Sequence, residues 1–138
     1  MRFKLIAAGV SALAVSACQP PMTFQGPMNA GYEVPQTNSR GVGTVVATVY
    51  PTTRAMTYTV EYKDLTGPAT GAHFHGPAAP GANAPVVIPS TVTPATIKGG
   101  ATLTPAQFDD LQAGKYYYNI HTAANPGGEI RGQLQRAQ

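Results

Sequence analysis

The chain contains three histidines, and their positions could form a metal site. His73 and His75 lie one residue apart in the segment GAHFHGP, and His121 lies further on in NIHT. If GAHFHGP is a β-strand, His73 and His75 point to the same face with Cβ atoms about 6.5–7 Å apart. Two imidazoles at that spacing can converge on one ion, and a neighbouring strand that carries His121 would supply a third ligand.

Copper is the expected ion, because nitrogen ligands bind it more tightly than zinc, which is the alternative. Three protein ligands leave an open or water-filled fourth position, as catalytic sites require and closed structural sites lack. The competing interpretation is a solvated or hydrogen-bonded histidine pair that only stabilises the sheet.

Four further polar residues could hold the ligand histidines in position through hydrogen bonds or charge. Glu33, in GYEVP, could accept a hydrogen bond from the second N–H of a ligand histidine. Asn119 lies on the same strand face as His121. Glu129 and Arg131 share one face of the last predicted strand and would pair with each other or with neighbours; a sheet-face ion pair is the expected arrangement.

The first residues are typical of an export signal. Two basic residues precede an apolar run at 5–15 that is too short to span a membrane comfortably. The sequence VSAC at 15–18 resembles a bacterial lipobox, so we expect a lipoprotein signal peptide at 1–17 and a lipid on Cys18. Ordinary cleavage that leaves a free thiol is the alternative. Because Cys18 is the only cysteine, no disulfide can form within the chain.

The expected location is outside the cytoplasm. Gln19 follows the cysteine, which by resemblance to known sorting rules favours the periplasmic side of the outer membrane or the cell surface. The lipid would be the only contact with the membrane. Without residues 1–17, seven basic and six acidic side chains remain, and no basic run is left. Nucleic acid is therefore not an expected partner.

Prolines and glycines separate short apolar segments along the rest of the chain, a pattern typical of an all-β domain. Residues 18–30 are interpreted as a lipidated tether and residues 31–138 as the β domain. One helix is predicted, beginning after Thr104 as the N-cap and ending at Gly114. The expected fold is a Greek-key β-sandwich or barrel with this one short crossover helix.

Four segments that occur in order, AGYEVP, GAHFHGP, LQAGKYYYNIHT and NPGGEIRGQL, resemble the CHRD domain. This is a chordin-type module that also occurs singly in exported bacterial proteins. The resemblance covers about residues 24–135 and implies an all-β sandwich. It also implies that five residues occupy signature positions of the family: His73, His75, His121, Glu129 and Arg131. The match is less full near residue 36, where the family often has a second proline and this chain has Gln36.

The segment HFHGP also resembles the His-x-His strand of copper/zinc superoxide dismutases, which are Greek-key barrels and therefore similar in outline. That enzyme needs more histidines, a zinc-site aspartate and a disulfide. This chain lacks that complement, so dismutase activity of the usual kind is not expected.

Three functional hypotheses follow. The first is a lipid-anchored periplasmic protein that uses the three histidines to bind, buffer or deliver copper. The second is an extracytoplasmic interaction or adhesion module whose histidines are structural. The third is a small copper redox enzyme, with Tyr62 or Tyr117 near an open site. Binding is favoured over turnover, and a homodimer that pairs through an edge strand is compatible with each hypothesis.

Overall fold

The computed structural model describes residues 19–138, so the expected signal peptide and Cys18 lie outside the described residues. The described part contains one α-helix, α1 (Pro105–Gln112), and a short 3₁₀ helix, Ala30–Tyr32. Its nine strands, in chain order, are β1 Met22–Asn29, β2 Val42–Tyr50, β3 Ala55–Lys63, β4 Ala69–His75, β5 Val86–Pro89, β6 Thr96–Thr102, β7 Tyr117–Thr122, β8 Ile130–Gln133 and β9 Gln135–Arg136.

The strands form one antiparallel sheet in the order β5-β4-β7-β8-β1-β2-β3-β6, and β9 pairs with β1. Two hydrogen bonds draw the ends of this sheet together. The hydroxyl groups of Tyr58 on β3 and Ser90 after β5 lie 2.8 Å apart, and the Tyr62 hydroxyl donates to the Thr93 carbonyl at 2.8 Å. The sheet therefore almost closes into a barrel, which confirms the predicted all-β fold with one short helix.

The tether predicted at 18–30 is wrong for Met22–Asn29, which form β1. Phe24 and Met28 are buried in the core, and β1 pairs with β2 along its whole length. Gly26 lies so close to the backbone of Gln133 that a side chain there would collide with it. The β domain therefore begins at β1, because this segment supplies apolar side chains that the barrel buries.

Helix α1 begins and ends as the sequence predicts. The Thr104 side chain accepts from Gln107 N at 3.2 Å, and the Gln107 side chain accepts from Thr104 N at 2.8 Å. This reciprocal capping box satisfies two of the free N–H groups at the start of the helix. Gly114 ends it with a φ of 71°, which glycine adopts without steric strain. No helix of the described residues is long and apolar enough to cross a membrane.

The strands β4, β7 and β8 have two unlike faces. Their inner face packs into the core through apolar side chains, namely Ala72, Phe74, Tyr118, Ile120 and Ile130. Their outer face carries polar and aromatic side chains, namely His73, His75, Tyr117, Asn119, His121, Arg131 and Gln133. Side chains alternate across each strand, so antiparallel pairing collects the second set in one layer outside the barrel.

Candidate metal centre

Antiparallel pairing of β4 with β7 brings the three histidines together. His73 lies opposite Asn119, and His121 lies opposite Gly71. One ring nitrogen from each histidine lies within 4.8 Å of the others, and His73 Nδ1 is 3.3 Å from His121 Nε2. The structure thus places the predicted ligands in one cluster on the outer face of the barrel.

Backbone carbonyls fix the proton positions on two of the three rings. Nδ1 of His75 lies 2.9 Å from the Ala84 carbonyl oxygen, and Nδ1 of His121 lies 2.9 Å from the Pro126 carbonyl oxygen. A carbonyl oxygen only accepts, so each Nδ1 carries a proton and donates it. In the neutral rings the lone pairs are therefore on Nε2, which points into the cluster in both cases. This arrangement suits metal ligation, where the second nitrogen of a ligand histidine is held by an outer hydrogen bond.

The Asn119 side chain lies between these two rings. Its Oδ1 is 3.0 Å from His75 Nε2 and 3.0 Å from His121 Nε2. His73 can donate its Nδ1 proton to His121 Nε2, but no proton is available between Asn119 Oδ1 and the neutral His75 ring. With the amide in this orientation, two acceptor atoms face each other at hydrogen-bond distance, and a cation bound to both would stabilise them.

The surroundings favour the neutral, ligand-competent form of His73 and His75. Burial lowers the pKa of His73, and its neighbours His121 and His75 lower it further. Burial also lowers the pKa of His75, although the acceptor oxygens of Ala84 and Asn119 act to raise it. Gly71 makes room for the His73 ring, since a Cβ at that position would lie 3.3 Å from its Cε1. The free electron pairs are thus retained at a pH where an ordinary imidazole begins to protonate.

Aromatic stacking supports His75 from its other side. The rings of His75 and Tyr117 are parallel, with an interplanar angle of 1° and centroids 4.8 Å apart. The guanidinium carbon of Arg131 lies 3.4 Å from the centroid of the Tyr117 ring. Arg131 also donates to Asn83 Oδ1 at 3.2 Å and to the Ala82 carbonyl at 2.8 Å, which holds the loop that supplies the Ala84 carbonyl. Hence Tyr117 and Arg131 fix both the plane of the His75 ring and its carbonyl partner.

Comparison with known families gives a match to the CHRD domain over residues 24–134. The chain belongs to the CHRD domain family. The match covers nearly all of the described residues and begins within β1, which agrees with a β domain that includes that strand. CHRD is an extracellular type of domain, associated with protein interaction. Among the curated proteins and the solved structures with which the chain was compared, none matches it.

Glu33 of this CHRD domain does not have its predicted partner. The second nitrogens of His75 and His121 bond to carbonyls instead. Glu33 is 4 % exposed and its Oε1 has no hydrogen-bond partner among residues 19–138. Burial raises the pKa of Glu33 to about 7, although Arg131 and the amide of Asn119 act to lower it. Glu33 therefore holds none of the three histidine rings directly.

The ion pair predicted between Glu129 and Arg131 is wrong. In the part of the chain that the structure describes, the two side chains form no ion pair. Glu129 precedes β8, so strand alternation does not place it on the face of Arg131. Its carboxylate instead accepts from Ser39 at 2.6 Å and from Thr66 N at 2.7 Å. Three more donors reach it, namely the Thr66 hydroxyl, the Thr122 hydroxyl and the Asn125 amide.

These bonds lower the pKa of Glu129 to about 2, although burial alone acts to raise it. A carboxylate that accepts several hydrogen bonds keeps its charge even inside a fold. Glu129 joins three loops of the CHRD domain, those at 37–41, 64–68 and 122–129. Its role is structural, and it lies outside the histidine cluster.

The cluster fits a small transition-metal ion with modest adjustment. Zinc and similar ions bind histidine nitrogen at about 2.0–2.1 Å, so two ligand nitrogens on one ion lie at most about 4 Å apart. The separation of 3.3 Å between His73 and His121 already satisfies this limit, while the widest separation, 4.8 Å, exceeds it. His73 is only half-buried, so rotation of its ring can close the difference.

Proposed function

We propose that this CHRD domain is an extracytoplasmic metal-binding protein that holds one copper ion through His73, His75 and His121. Its role would be binding, buffering or delivery of the ion. The observation that carries the proposal is the convergence of the three histidines, whose ring nitrogens lie within 4.8 Å of one another. An ion at this position would accept their lone pairs.

Copper is favoured over zinc on chemical grounds. Imidazole ligands suit both metals, but affinity for a given nitrogen site rises to a maximum at copper in the divalent series. The neutral state of His73 and His75, supported by their lowered pKa values, is the form that binds. A lipid on Cys18 would keep the site at the periplasmic face of the outer membrane or at the cell surface.

Calorimetric titration of the purified protein with Cu(II), Cu(I) and Zn(II) tests the proposal. We expect one ion per chain with a Kd well below about 10 μM for copper. His73→Ala and His121→Ala each remove one ligand and should weaken binding by about a hundredfold. Loss of a residue that only hydrogen-bonds a ligand typically weakens binding by about 10–100-fold, so loss of the ligand itself should reach the top of that range. Electron paramagnetic resonance of the Cu(II) form should show coupling to three nitrogens, and to two in either variant.

Lys98→Ala provides the control, because Lys98 is exposed on β6, which pairs with β3 and not with β4 or β7. It should leave both affinity and spectrum unchanged. Binding weaker than about 10 μM, or binding that is indifferent to His121→Ala, would remove the metal hypothesis. Mass spectrometry of the membrane-extracted protein tests the lipid separately.

An interaction module is the second candidate, and one surface feature favours it beyond family membership. A groove of about 460 Å³ runs between the loops at 31–36 and 80–81. Tyr32, which is 51 % exposed, and several prolines line it. If the protein bound no metal but formed a reversible dimer that Tyr32→Ser weakened in sedimentation velocity, this candidate would replace the first.

A further inference from the structure

The three histidines differ in how firmly the fold holds them. Nδ1 of His75 and Nδ1 of His121 each donate to a backbone carbonyl oxygen, and the His75 ring is also stacked on Tyr117. Among residues 19–138, the only hydrogen bond of the His73 ring is the one between its Nδ1 and His121. Two of the proposed ligands are therefore fixed by the surrounding structure, whereas the third is held only by another ligand.

The proton positions require His73 to rearrange when an ion binds. His121 Nε2 carries a lone pair, so the proton in its contact with His73 belongs to His73 Nδ1, 3.3 Å away. This hydrogen bond occupies the electron pair that His121 would give to the ion, and it has to break before binding. His73 must then either move its proton to Nε2 or turn its ring. His75 and His121 can keep their orientations and their hydrogen bonds to the carbonyls.

Gly71 leaves space for this movement. It precedes His73 by two residues on β4 and therefore lies on the same face of the strand. A Cβ at Gly71 would lie 3.3 Å from His73 Cε1 and 3.7 Å from His73 Nε2. Because glycine has no side chain, this volume is free for the ring to turn into.

His73 also lies close to an edge of the sheet. It is opposite Asn119 of β7 on one side and opposite Pro89 of β5 on the other, and β5 is the last strand at this end of the sheet. The His73 side chain is half-buried, whereas His75 is buried. A donor group of another molecule can therefore reach the cluster past β5, on the side of His73.

Building on the proposed metal site, we propose that His73 is its exchange ligand. His73 is the last histidine to bind an entering ion, and it is the one replaced by a donor atom of the acceptor when the ion leaves. The acceptor offers a neutral donor of the kind that suits copper, of which imidazole is the simplest. The bond between the ion and His73 breaks as the bond to the acceptor forms, so the ion keeps its charge and its number of ligands. His75 and His121 hold the ion until the acceptor has bound it.

Displacement by free imidazole tests the proposal in the wild-type protein. In ¹⁵N-histidine-labelled protein loaded with Zn(II), the ligand nitrogens should be shifted from their metal-free resonances, and the three histidine-to-alanine variants assign the signals. As imidazole is added, the His73 resonance should return to its metal-free position first, while those of His75 and His121 stay shifted. Return of either of the other two before His73, or of all three together, would overturn the proposal.

A glycine variant tests the movement of the ring. Gly71→Ala places a methyl group beside His73 without removing a ligand, and it should slow the transfer of Zn(II) to excess EDTA by about tenfold. Gly67→Ala makes the same change where no atom lies within 4 Å of the added Cβ, and it should transfer Zn(II) at the wild-type rate. Transfer from Gly71→Ala at the wild-type rate would contradict exchange by turning of the His73 ring.

These experiments separate the exchange role from the proposed function. If neither Zn(II) nor copper shifts or broadens any histidine resonance, the metal site itself fails. If all three histidines respond to the metal but imidazole does not release His73 first, the metal site stands and only the exchange role of His73 fails.

Discussion

Glu33 and Glu129 are both buried, but their surroundings give their carboxyl groups opposite acid–base behaviour. Glu33 keeps one oxygen without a partner, and its pKa rises to about 7. Glu129 accepts bonds from four residues, namely Ser39, Thr66, Thr122 and Asn125, and its pKa falls to about 2. Burial does not explain the difference, because the exposed fractions of Glu33 and Glu129 are nearly equal, at 4 % and 0 %. The number of donors directed at each carboxylate decides which form is stable.

This difference separates two roles. A fully bonded carboxylate such as Glu129 stabilises the loops around it. An incompletely bonded one such as Glu33 is retained at a cost in folding free energy, and such groups are often found at functional sites. Glu33 and Asn119 both lie beside Gly128, close to the histidines. Substitution of the two residues should therefore change the free energy of unfolding in opposite directions.

Glu129→Ala should have the largest effect. It removes the acceptor of several charge-assisted hydrogen bonds, each worth about 1.5–3 kcal/mol, and leaves buried donors without partners. We expect the free energy of unfolding to fall by about 4 kcal/mol in urea denaturation at neutral pH. Glu61→Ala, an exposed glutamate, should change it by less than about 0.5 kcal/mol. Equal effects would contradict the structural role of Glu129.

Acid should destabilise the wild-type protein through the same group. Because the pKa of Glu129 is about 2 in the fold against an ordinary 4.5, its contribution is present above about pH 4.5 and is lost as the pH falls towards 2. At about 1.36 kcal/mol per pKa unit, the loss is about 3 kcal/mol. Urea denaturation at several acidic pH values should show this loss in wild type and a flatter profile in Glu129→Gln; parallel profiles would be incompatible with a lowered pKa.

Glu33→Gln should change stability in the opposite direction. The pKa of Glu33 is raised to about 7, so its folded-state protonation stabilises the protein below about pH 4.5 and this contribution is lost as the pH rises towards 7. We expect the variant to be about 2 kcal/mol more stable than wild type at about pH 8 and similar at about pH 4. Denaturation at both pH values measures the difference. A variant that is less stable at both would show that Glu33 is fully bonded after all.

Ser39→Ala should have the smallest effect. It removes the Ser39 hydroxyl, which donates to Glu129 Oε1 at 2.6 Å, and leaves four hydrogen bonds to the carboxylate in place. We expect a loss of about 1 kcal/mol and an upward shift of the Glu129 pKa, measured by carboxyl ¹³C chemical shift against pH. An unchanged pKa would mean that the remaining donors suffice.

Sequence patterns predicted most of the fold because their signals are local. The alternation of Met56, Tyr58 and Val60 places them on the buried face of β3, and the Thr104 capping box is predicted from two residues three positions apart. The convergence of the histidines also followed from two strand patterns and one assumption of adjacency, which the pairing of β4 with β7 satisfies.

Strand β1 was missed because Pro27 and Gly26 are typical of a linker. The pattern of a strand was nonetheless present, since Phe24, Gly26 and Met28 are the buried alternate residues. Proline is tolerated there because β1 pairs with β8 only at Asn29, so few hydrogen bonds are required on that side.

The hydrogen-bond partners of the histidines and of Glu129 could not be predicted from the sequence, for a different reason. The carbonyls of Ala84 and Pro126 are backbone groups, and every residue has one, so no residue type indicates them. The donors to Glu129 come from loops up to 90 residues away in the chain. Such contacts depend on how loops pass over one another, which local periodicity does not encode.

The outer position of the histidine layer has a consequence for how this protein can change. The barrel interior and the polar layer share the backbones of β4, β7 and β8 but no side chains, because alternate residues serve each. Substitutions in one set therefore need not disturb the other. During evolution the histidines could be replaced, or the neighbouring loops lengthened, while the barrel stays the same. Ligand preference and folding could therefore change nearly independently of each other.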